Sequence, residues 1–405
     1  MARTPVTGAN VPVRQVPAGP TPVRQAPVGH LTGSDIGRAW FRDNEQGLLA
    51  SRPREYAEDP LVLDEGGWWA VIGTFEGRMG LWRFDDVRPA PLPPPDPSWA
   101  SGPPTPGTTI TPTGAGLPTT TSGWRTSLSR TDYLSGVARI RARIGRGEVY
   151  QVNLCRVLRA GTGTEPWALA ARLAAGNPAP HAAVLDLPGG PCPAGDGRTR
   201  VVSASPELFL ARDGDRLRCS PIKGTAPVVG SMLQKDHAEN VMIVDMVRND
   251  FSRICRPDSV AVPSLLREEA HPGLVHLVST VSGQLRQDVG WPRILAATTP
   301  VASVSGAPRS SALRAIAALE PVPRGPYCGF FGWIDADRAR ARLAVTIRTF
   351  WWEADTLAFG TGAGITWGSD PHREWAETEL KARRLVALAA GGASDRPTHP
   401  VRTAL

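Results

Sequence analysis

Residues 221–225 of this 405-residue chain read Pro-Ile-Lys-Gly-Thr and form its most informative stretch. Lys223 is one of only three lysines among 45 basic residues, and the others are Lys235 and Lys381. Arginine keeps its proton in proteins, whereas lysine becomes a neutral amine nucleophile when its surroundings lower its pKa. A lysine kept among so many arginines therefore suggests a position where arginine would fail. A structural cation is the alternative.

Length and composition describe a globular protein. Hydrophobic residues make up 41% of the chain, enough to bury one large core or the cores of two domains. The sequence contains no apolar run of membrane-spanning length and no secretory signal at its N-terminus. We therefore expect a cytoplasmic protein without a membrane partner.

The net charge of +7 suggests a binding preference for anions. The arginines are spread along the chain, and no basic run with interleaved aromatic residues is present. This distribution favours small anionic substrates and no nucleic-acid partner. The five cysteines have no metal-binding spacing and are expected to be free thiols.

The chain divides into five segments by composition. Residues 1–30 are proline-rich with a short tandem repeat, which predicts a disordered arm. Residues 31–88 carry short apolar runs broken by glycines, which predict a small β-rich N-terminal subdomain. Residues 89–123 are rich in proline, threonine and glycine, as in a linker or long loop. Residues 124–390 predict the main catalytic domain, and residues 391–405 a flexible tail.

Within the main domain, strands and helices alternate irregularly, which favours a mixed α/β or α+β fold. Thr131 and Asp132 suit the N-cap of a first helix. One long strand is predicted from Leu343 to Trp352, paired with a strand that begins at Thr356. The segment 236–249 predicts a helix that is apolar around much of its circumference and therefore buried.

Two predicted helices each carry a pair of carboxylates on one face. Asp236 and Glu239 stand three residues apart, as do Glu374 and Glu377 in the final helix, whose apolar positions include Leu380. Oxygen ligands without histidine or cysteine are typical of magnesium. The alternative is that these acids only cap their helices and interact with the helix dipoles.

A cluster of glycines supplies a possible anion-binding turn. Gly360, Gly362 and Gly364 follow a predicted strand and would let the backbone approach an anion closely. Arg348, placed on the strand before them, would add a bidentate grip on a carboxylate. A glycine-rich turn is weak evidence by itself.

Together these segments resemble the chorismate-utilising enzymes, the family of anthranilate synthase component I, aminodeoxychorismate synthase component I, and the isochorismate and salicylate synthases. The resemblance runs from about Thr131 to Ala389. The matching motifs lie at 147–154, 205–209, 221–225, 238–250, 276–279, 305–308, 324–329, 347–349 and 362–365. The resemblance implies an α+β fold, large and two-lobed, with antiparallel β-sheets packed in a sandwich and flanked by helices.

Within this family, lysine at position 223 is similar to the aminodeoxychorismate enzymes, because the anthranilate enzymes usually have alanine there. Gln151 argues against isochorismate chemistry, because relatives that add water to the ring have a lysine at that position. The implied reaction converts chorismate and ammonia to 4-amino-4-deoxychorismate, for folate or a specialised metabolite. In it Lys223 is the nucleophile and Glu207 the proton donor.

The resemblance also implies roles for the other site residues. Glu239 and Glu377 would bind Mg²⁺ directly, and Asp236 and Glu374 would hold metal-bound waters. The implied substrate-binding residues are Gln151, Thr225, His276, Ser303, Tyr327, Arg348, Gly362 and Gly364. Tyr327 and Arg348 would hold the enolpyruvyl carboxylate, with backbone amides around Gly364, while His276 and Ser303 would line the ring pocket.

The chain departs from the family pattern at residues 300–303, Pro-Val-Ala-Ser, where relatives commonly have Pro-Gly-Gly-Ser. None of its cysteines lies in the glycine-flanked motif of a glutaminase nucleophile. The resemblance thus implies that ammonia comes from a separate glutaminase subunit, in a heterodimer. Anthranilate synthase component I and a non-catalytic chorismate-binding paralogue stay open as alternatives.

Overall fold

A computed structural model of the chain describes residues 28–31, 37–43, 46–94, 123–226, 228–271 and 274–391. The predicted disordered arm and flexible tail fall almost wholly outside these ranges, as does most of the predicted linker. Within the described residues, no helix is both long and apolar enough to cross a membrane.

Six α-helices are formed by the described residues. They are α1 (Arg130–Gly145), α2 (Pro166–Gly176), α3 (Gln234–Ser252), α4 (Trp291–Thr298), α5 (Arg309–Leu319) and α6 (Pro371–Ala389). Two short 3-10 helices span Pro60–Asp64 and Ala302–Val304.

The described residues also form nineteen strands. They are β1 (Gly29–His30), β2 (Arg38–Phe41), β3 (Leu48–Ala57), β4 (Trp68–Gly73), β5 (Met79–Pro89), β6 (Arg125–Thr126), β7 (Gln151–Gly161), β8 (His181–Pro188), β9 (Arg198–Ser205), β10 (Leu208–Asp213), β11 (Arg216–Ser220), β12 (Ile222–Ala226), β13 (Ala261–His271), β14 (Leu274–Gln284), β15 (Gly306–Ala307), β16 (Phe330–Asp335), β17 (Arg340–Val345), β18 (Thr349–Glu353) and β19 (Thr356–Ile365).

All pairings between these strands are antiparallel and follow one continuous path. From β7 the path runs through β19, β18, β9, β8, β2, β3, β5, β4, β16, β17, β10, β11 and β14 to β13. Helices pack on the outside of this sheet, in clusters that join α2 and α6 to β8, β9 and β18 and join α1 and α5 to β7. The predicted α+β class, with antiparallel strands flanked by helices, is confirmed.

The strands of the N-terminal segment are hydrogen bonded into the rest of the sheet. β2 pairs with β8, and β4 pairs along its whole length with β16. Side chains from β3, β4 and β5 also share the largest hydrophobic cluster with α3, α4 and β17. Residues 38–89 therefore depend on the remainder of the chain for their core, and the domain boundary near residue 88 stays a prediction.

Several local predictions need correction. The N-cap of α1 is Ser129, whose hydroxyl accepts a hydrogen bond from the Asp132 amide at 3.1 Å. α3 is only partly buried, since Val241 is 46% exposed, and Leu380 on α6 is 67% exposed instead of packed. Both side chains lie on helix faces that no other element covers enough to bury.

The strand predicted from Leu343 to Trp352 is in fact two strands, β17 and β18. Arg348 lies between them with a φ of 52°, in the left-handed region that side chains other than glycine rarely adopt. This conformation interrupts the extended backbone, and the strand that ends at Val345 resumes only at Thr349. Arg348 therefore lies outside the strands, and its side chain extends toward β14.

Candidate active site

Three residues predicted to act on the substrate meet where β7, β12 and β19 come together. A Cβ atom built on Gly364 would lie 2.4 Å from Gln151 Nε2 and 3.2 Å from Lys223 Nζ. A side chain at position 364 would therefore push aside the ends of the Gln151 and Lys223 side chains. The absence of a side chain at Gly364 leaves the Lys223 amine against the strand backbone.

Glu207 lies in the turn between β9 and β10 and is 3% exposed. Burial raises the pKa of its carboxyl group to about 7, against the opposing effects of Ser303, the Ile222 amide and the charges of Lys223 and Lys381. At neutral pH this group is therefore divided between its acid and base forms. Such a group is suited both to giving and to taking a proton.

The carboxylates of α3 and α6 face each other across the same cleft. Burial is the largest cause that raises the pKa of Glu239 and of Glu374, and each also feels the negative charge of the other helix. Gln151 Nε2 donates to Glu239 at 3.5 Å, which joins the acids to the Lys223 group. The two predicted pairs thus belong to one site.

The four predicted metal-binding acids are not equivalent. Asp236 accepts a hydrogen bond from the Leu233 amide at 2.9 Å and so caps α3, the alternative that its sequence position left open. Ser369 hydrogen bonds to Glu374 and opposes the rise in its pKa. Among the described residues, no three His, Cys, Asp or Glu side chains lie close enough to form a ready-made metal cage.

The donor set nevertheless fits a hard divalent cation. Every candidate ligand is a carboxylate oxygen, and the acids of α3 and α6 repel each other in a recessed site. A cation between Glu239 and Glu377 would relieve that repulsion. The metal-binding roles of these residues stay a prediction.

Two functional residues were missed in the sequence, and both are lysines. Lys381 donates from Nζ to Glu377 Oε1 at 2.7 Å and to the Gly362 carbonyl at 3.0 Å. Burial alone would lower the pKa of Lys381, but Glu377 and Glu374 outweigh it and the pKa is raised. The same pairing is the main cause that lowers the pKa of Glu377.

Lys235 lies one helical turn before Glu239 on α3, and its charge lowers the pKa of Glu239, Glu374 and Glu377. All three lysines of the chain therefore act on Glu377. The rarity that singled out Lys223 applied equally to Lys235 and Lys381, so the signal was present in the sequence.

The cleft stays open to water. The side chains of Lys381 and Glu377 each keep 42% of their surface exposed although protein surrounds them on most sides. Exposure of this size in a recessed position means that solvent, or a small molecule in its place, reaches these charges. Their ion pair is therefore weaker than a fully buried one.

A second group of predicted residues lies on the other side of the cleft. Arg348 Nη2 approaches His276 Nε2 at 3.3 Å, and burial lowers the pKa of the guanidinium. His276 is on β14 and is paired through its backbone with Thr225. The charge of Arg348 also acts on Lys381, which joins this group to the acids.

Tyr327 and Ser303 complete the predicted set. The Tyr327 ring packs on Gly360, where a Cβ would lie 2.0 Å from the ring, and burial raises its pKa well above the usual range. Ser303 is 6% exposed and lies beside Glu207, yet its hydroxyl has no hydrogen-bond partner of acceptable geometry. The carbonyl of Gly362 accepts from Lys381, so the anion-binding role of its amide stays a prediction.

Comparison with known proteins shows the family to which the chain is similar. Residues 107–387 match the family of chorismate binding enzymes. Aminodeoxychorismate synthase component 1 of Klebsiella aerogenes is 33% identical over 88% of this chain and 75% of its own length. Anthranilate synthase component 1 of Thermus thermophilus is 37% identical over 65% of this chain and 57% of its own length.

Among solved structures, an isochorismate synthase from Bacillus anthracis superposes with a TM-score of 0.70 at 21% identity, covering 88% of this chain and 97% of its own. At that identity the likeness concerns the fold. The chain spans about half the length of the first curated relatives that it matches.

Proposed function

Because this chain belongs to the chorismate-binding enzyme family, we propose that it is component I of an aminodeoxychorismate synthase, converting chorismate and ammonia to 4-amino-4-deoxychorismate and water. Relatives named for this activity support the proposal, as does the resemblance of the 221–225 motif to theirs. We expect the reaction to take place in the cytoplasm.

The observation that carries the proposal is the position of Lys223. Its amine lies against Gly364 and Gln151, and its charge acts on Glu207, Glu239 and Glu377. A lysine needed only as a structural cation would form close ion pairs, yet no ion pair of Lys223 is present among the described residues. The amine is instead placed beside the proton donor in an open cleft.

In the first half of the reaction, Lys223 Nζ attacks C2 of the chorismate ring. Both ring double bonds shift, from C1–C2 to C1–C6 and from C5–C6 to C4–C5, and the C4 hydroxyl leaves with a proton from Glu207, as water. Glu207 is suited to this step because its pKa of about 7 keeps a large fraction of it protonated at neutral pH. The intermediate carries the ring on Lys223 and keeps the enolpyruvyl group.

In the second half, ammonia attacks C4. Both ring double bonds shift back to their original positions, and the bond between C2 and Lys223 breaks. The proton lost by the new C4 ammonium group returns to Glu207, so the enzyme regains its starting state. Only the hydroxyl has been exchanged for an amine. Gln151 cannot act as a base for water, which favours ammonia as the nucleophile.

We propose that Glu239 and Glu377 hold Mg²⁺ directly and that Asp236 and Glu374 act through its waters. The ion would supply positive charge for the ring carboxylate. Arg348 and Tyr327 would hold the enolpyruvyl carboxylate, with the backbone near Gly362 and Gly364. Lys381, placed between Glu377 and Gly362, would add a second cation for the ring carboxylate.

The ring pocket would be completed by His276, Ser303 and Thr225 around the departing hydroxyl. Ammonia would come from a separate glutaminase subunit in a heterodimer. The "component 1" in the names of several relatives implies a second component for those proteins, which supports this part of the proposal.

A second candidate is anthranilate synthase component I, because relatives of that name match at 35% and 37% identity. That reaction adds ammonia at C2 and then eliminates pyruvate. A lysine that occupies C2 would block the addition, so Lys223 favours the first proposal.

Product identification tests the proposal. Purified protein is incubated with chorismate, Mg²⁺ and an ammonium salt. The products are separated by chromatography and identified by mass spectrometry. We expect 4-amino-4-deoxychorismate from the native protein and almost none from Lys223→Ala. Arg218→Ala, which removes an exposed cation from the neighbouring strand β11, is the matched control and should keep full activity. Formation of anthranilate with pyruvate would favour the second candidate. Absence of any turnover would favour a non-catalytic paralogue.

A further inference from the structure

A small cavity lies behind Glu207, between β10, β11 and the C-terminal half of α3. Its walls are mostly apolar and include Phe209, Val247 and Phe251. It has room for about one water-sized molecule. Glu207 lines this cavity and is also within reach of the charge of Lys223, so it separates the cavity from the cleft.

The cavity has a polar end with an unmet hydrogen-bonding group. Ser303 lines it beside Glu207 and is 6% exposed. Its hydroxyl is close enough to Glu207 to oppose the rise in the pKa of that carboxyl group, yet it makes no hydrogen bond of good geometry among the described residues. The site therefore favours a small molecule that offers both a lone pair and hydrogens to Ser303 and Glu207.

Charge at the far side of the cavity is already balanced. Asp250 also lines it, but its carboxylate is paired with Arg309, with Nη1 and Oδ1 3.1 Å apart. No free carboxylate other than Glu207 lines the space. When Glu207 is protonated, as the proposed first step requires, the cavity offers no counter-ion to an ammonium ion, and its apolar walls accept neutral ammonia.

We propose that this cavity is the site where the ammonia nucleophile waits before it attacks C4. The inference rests on the proposed function, in which Glu207 protonates the hydroxyl that leaves C4. Ammonia held between Ser303 and Glu207 lies next to the carbon that it must reach. When the hydroxyl leaves as water, the nucleophile moves past the Glu207 carboxylate, which then accepts its proton.

The chain narrows this cavity with residues of its own. Val301 and Ala302 line it. Their methyl groups set its size near that of one ammonia molecule. The cavity should therefore discriminate against larger amines.

The first test fills the cavity. Ala302→Val places two methyl groups in it, and Ala297→Val is the matched control, because Ala297 is similarly buried on α4 but does not line the cavity. We expect the KM for ammonia to rise at least about tenfold in Ala302→Val only. The KM for chorismate and the ammonia-free reaction of Lys223 with chorismate should stay within about twofold. An unchanged ammonia KM in folded Ala302→Val would overturn the proposal and leave a structural water in the cavity.

The second test enlarges the cavity. Val301→Ala should accept methylamine and give the N-methylated amino product, whereas the native protein should reject it. Thermal unfolding of each variant is followed alongside, since this loss of buried methyl groups costs stability without blocking the site. Equal use of methylamine by both proteins contradicts a cavity that selects by size.

The two proposals fail separately. Product identity decides the reaction, while the KM for ammonia decides the cavity on whichever amino product is formed. Anthranilate formed with a raised ammonia KM in Ala302→Val would remove the first proposal and keep the second. Aminodeoxychorismate formed with an unchanged ammonia KM in Ala302→Val would keep the proposed reaction and remove the proposed ammonia site.

Discussion

The open cleft and the core beside it hold positive charge in opposite ways. Beside the carboxylates of the cleft the cations are lysines, and Lys381 keeps 42% exposure while it pairs with Glu377. In the core they are arginines, and Arg156 and Arg324 are 1% and 2% exposed. Both arginines are on or bonded to the strand β7 that carries Gln151, so the two regions share one scaffold.

The buried arginines each donate from all three guanidinium nitrogens. Arg324 binds Glu320 through two bonds of 2.7 and 2.8 Å, reaches the carbonyls of Asn153 and Val304, and lies over the Phe75 ring. Arg156 binds Thr126, Thr378 and Glu379 and lies over Trp375. A planar, permanently charged group suits such positions because it bonds in several directions at once.

The difference shows where charge does structural work and where it does chemistry. Arginine fixes the positions of strands and helices through many simultaneous bonds. Lysine lines the cleft, where a compact amine with few bonds is free to engage a substrate. Exchanging the two residue types should therefore damage folding in one region and activity in the other.

The largest effect is expected from Lys223→Arg. The variant keeps the charge and should fold, because Lys223 makes few close contacts, but arginine cannot supply a neutral nucleophile. We expect turnover to fall at least about a thousandfold, with an unfolding midpoint close to that of the native protein. An activity assay measures the turnover, and urea unfolding measures the midpoint. A variant with substantial turnover would show that Lys223 acts only through its charge.

The reverse exchange, Arg324→Lys, should act on stability. Lysine cannot make the four hydrogen bonds of Arg324, which leaves Glu320 and the two carbonyls partly unpaired. Loss of such a buried pair costs about 3–5 kcal/mol of unfolding free energy. Urea unfolding is the measurement. Arg338→Lys, whose side chain is 75% exposed in its pair with Asp335, is the control and should change little. Equal effects at the two sites would break the comparison.

Glu207→Gln should give a pH-dependent gain in stability. Burial raises the pKa of Glu207 from 4.5 to about 7 in the folded protein. The native protein thus loses stability as pH rises from the unfolded value through the folded value, and the full penalty is present above it. Glutamine carries no such penalty, so the variant should gain up to about 3 kcal/mol relative to the native protein at pH 8. Near pH 4 the gain should vanish.

Urea unfolding at both pH values measures the difference in stability between Glu207→Gln and the native protein. A stability gain of equal size at both pH values would contradict the assigned burial of Glu207. The same variant should lose the ammonia-free reaction of Lys223 with chorismate. In the native protein that reaction should slow as the pH rises above about 7, because the proton donor becomes ionised.

The smallest effect is expected from Lys381→Met. Its amine is 2.7 Å from Glu377, so its removal leaves more negative charge at the proposed magnesium site. We expect the Kd for Mg²⁺, measured by calorimetry without substrate, to fall severalfold, or about 1 kcal/mol. Lys235→Met, which removes a more distant charge, should have a weaker effect in the same direction. Weaker binding in Lys381→Met would mean that this lysine supports the metal site.

The sequence predicted the residues of the site better than the path of the chain. Motif residues such as Lys223, Glu207 and Gln151 were identifiable because their chemistry is local to each motif. Their convergence depends on long-range strand pairing, which periodicity cannot reveal. Lys235 and Lys381 were not predicted as site residues, because each lies in a helix whose paired acids gave the stronger signal of a metal site.

The errors in secondary structure have physical causes. An apolar run such as 343–352 is consistent with one strand, and nothing in it signals the left-handed conformation of Arg348. Val241 and Leu380 fit a buried helical stripe by spacing, but their exposure depends on which neighbours the fold supplies. The cavity behind Glu207 is lined by residues of six separate helices and strands and has no sequence signature.

The account depends most directly on the bond between Lys223 and the substrate ring. The native protein is incubated with chorismate and Mg²⁺ without ammonia, quenched, and analysed by intact-protein and peptide mass spectrometry. We predict a mass gain equal to chorismate less one water, on the peptide that contains Lys223, which disappears when ammonia is added. Under conditions that yield amino product with ammonia, an unmodified Lys223 would contradict the account.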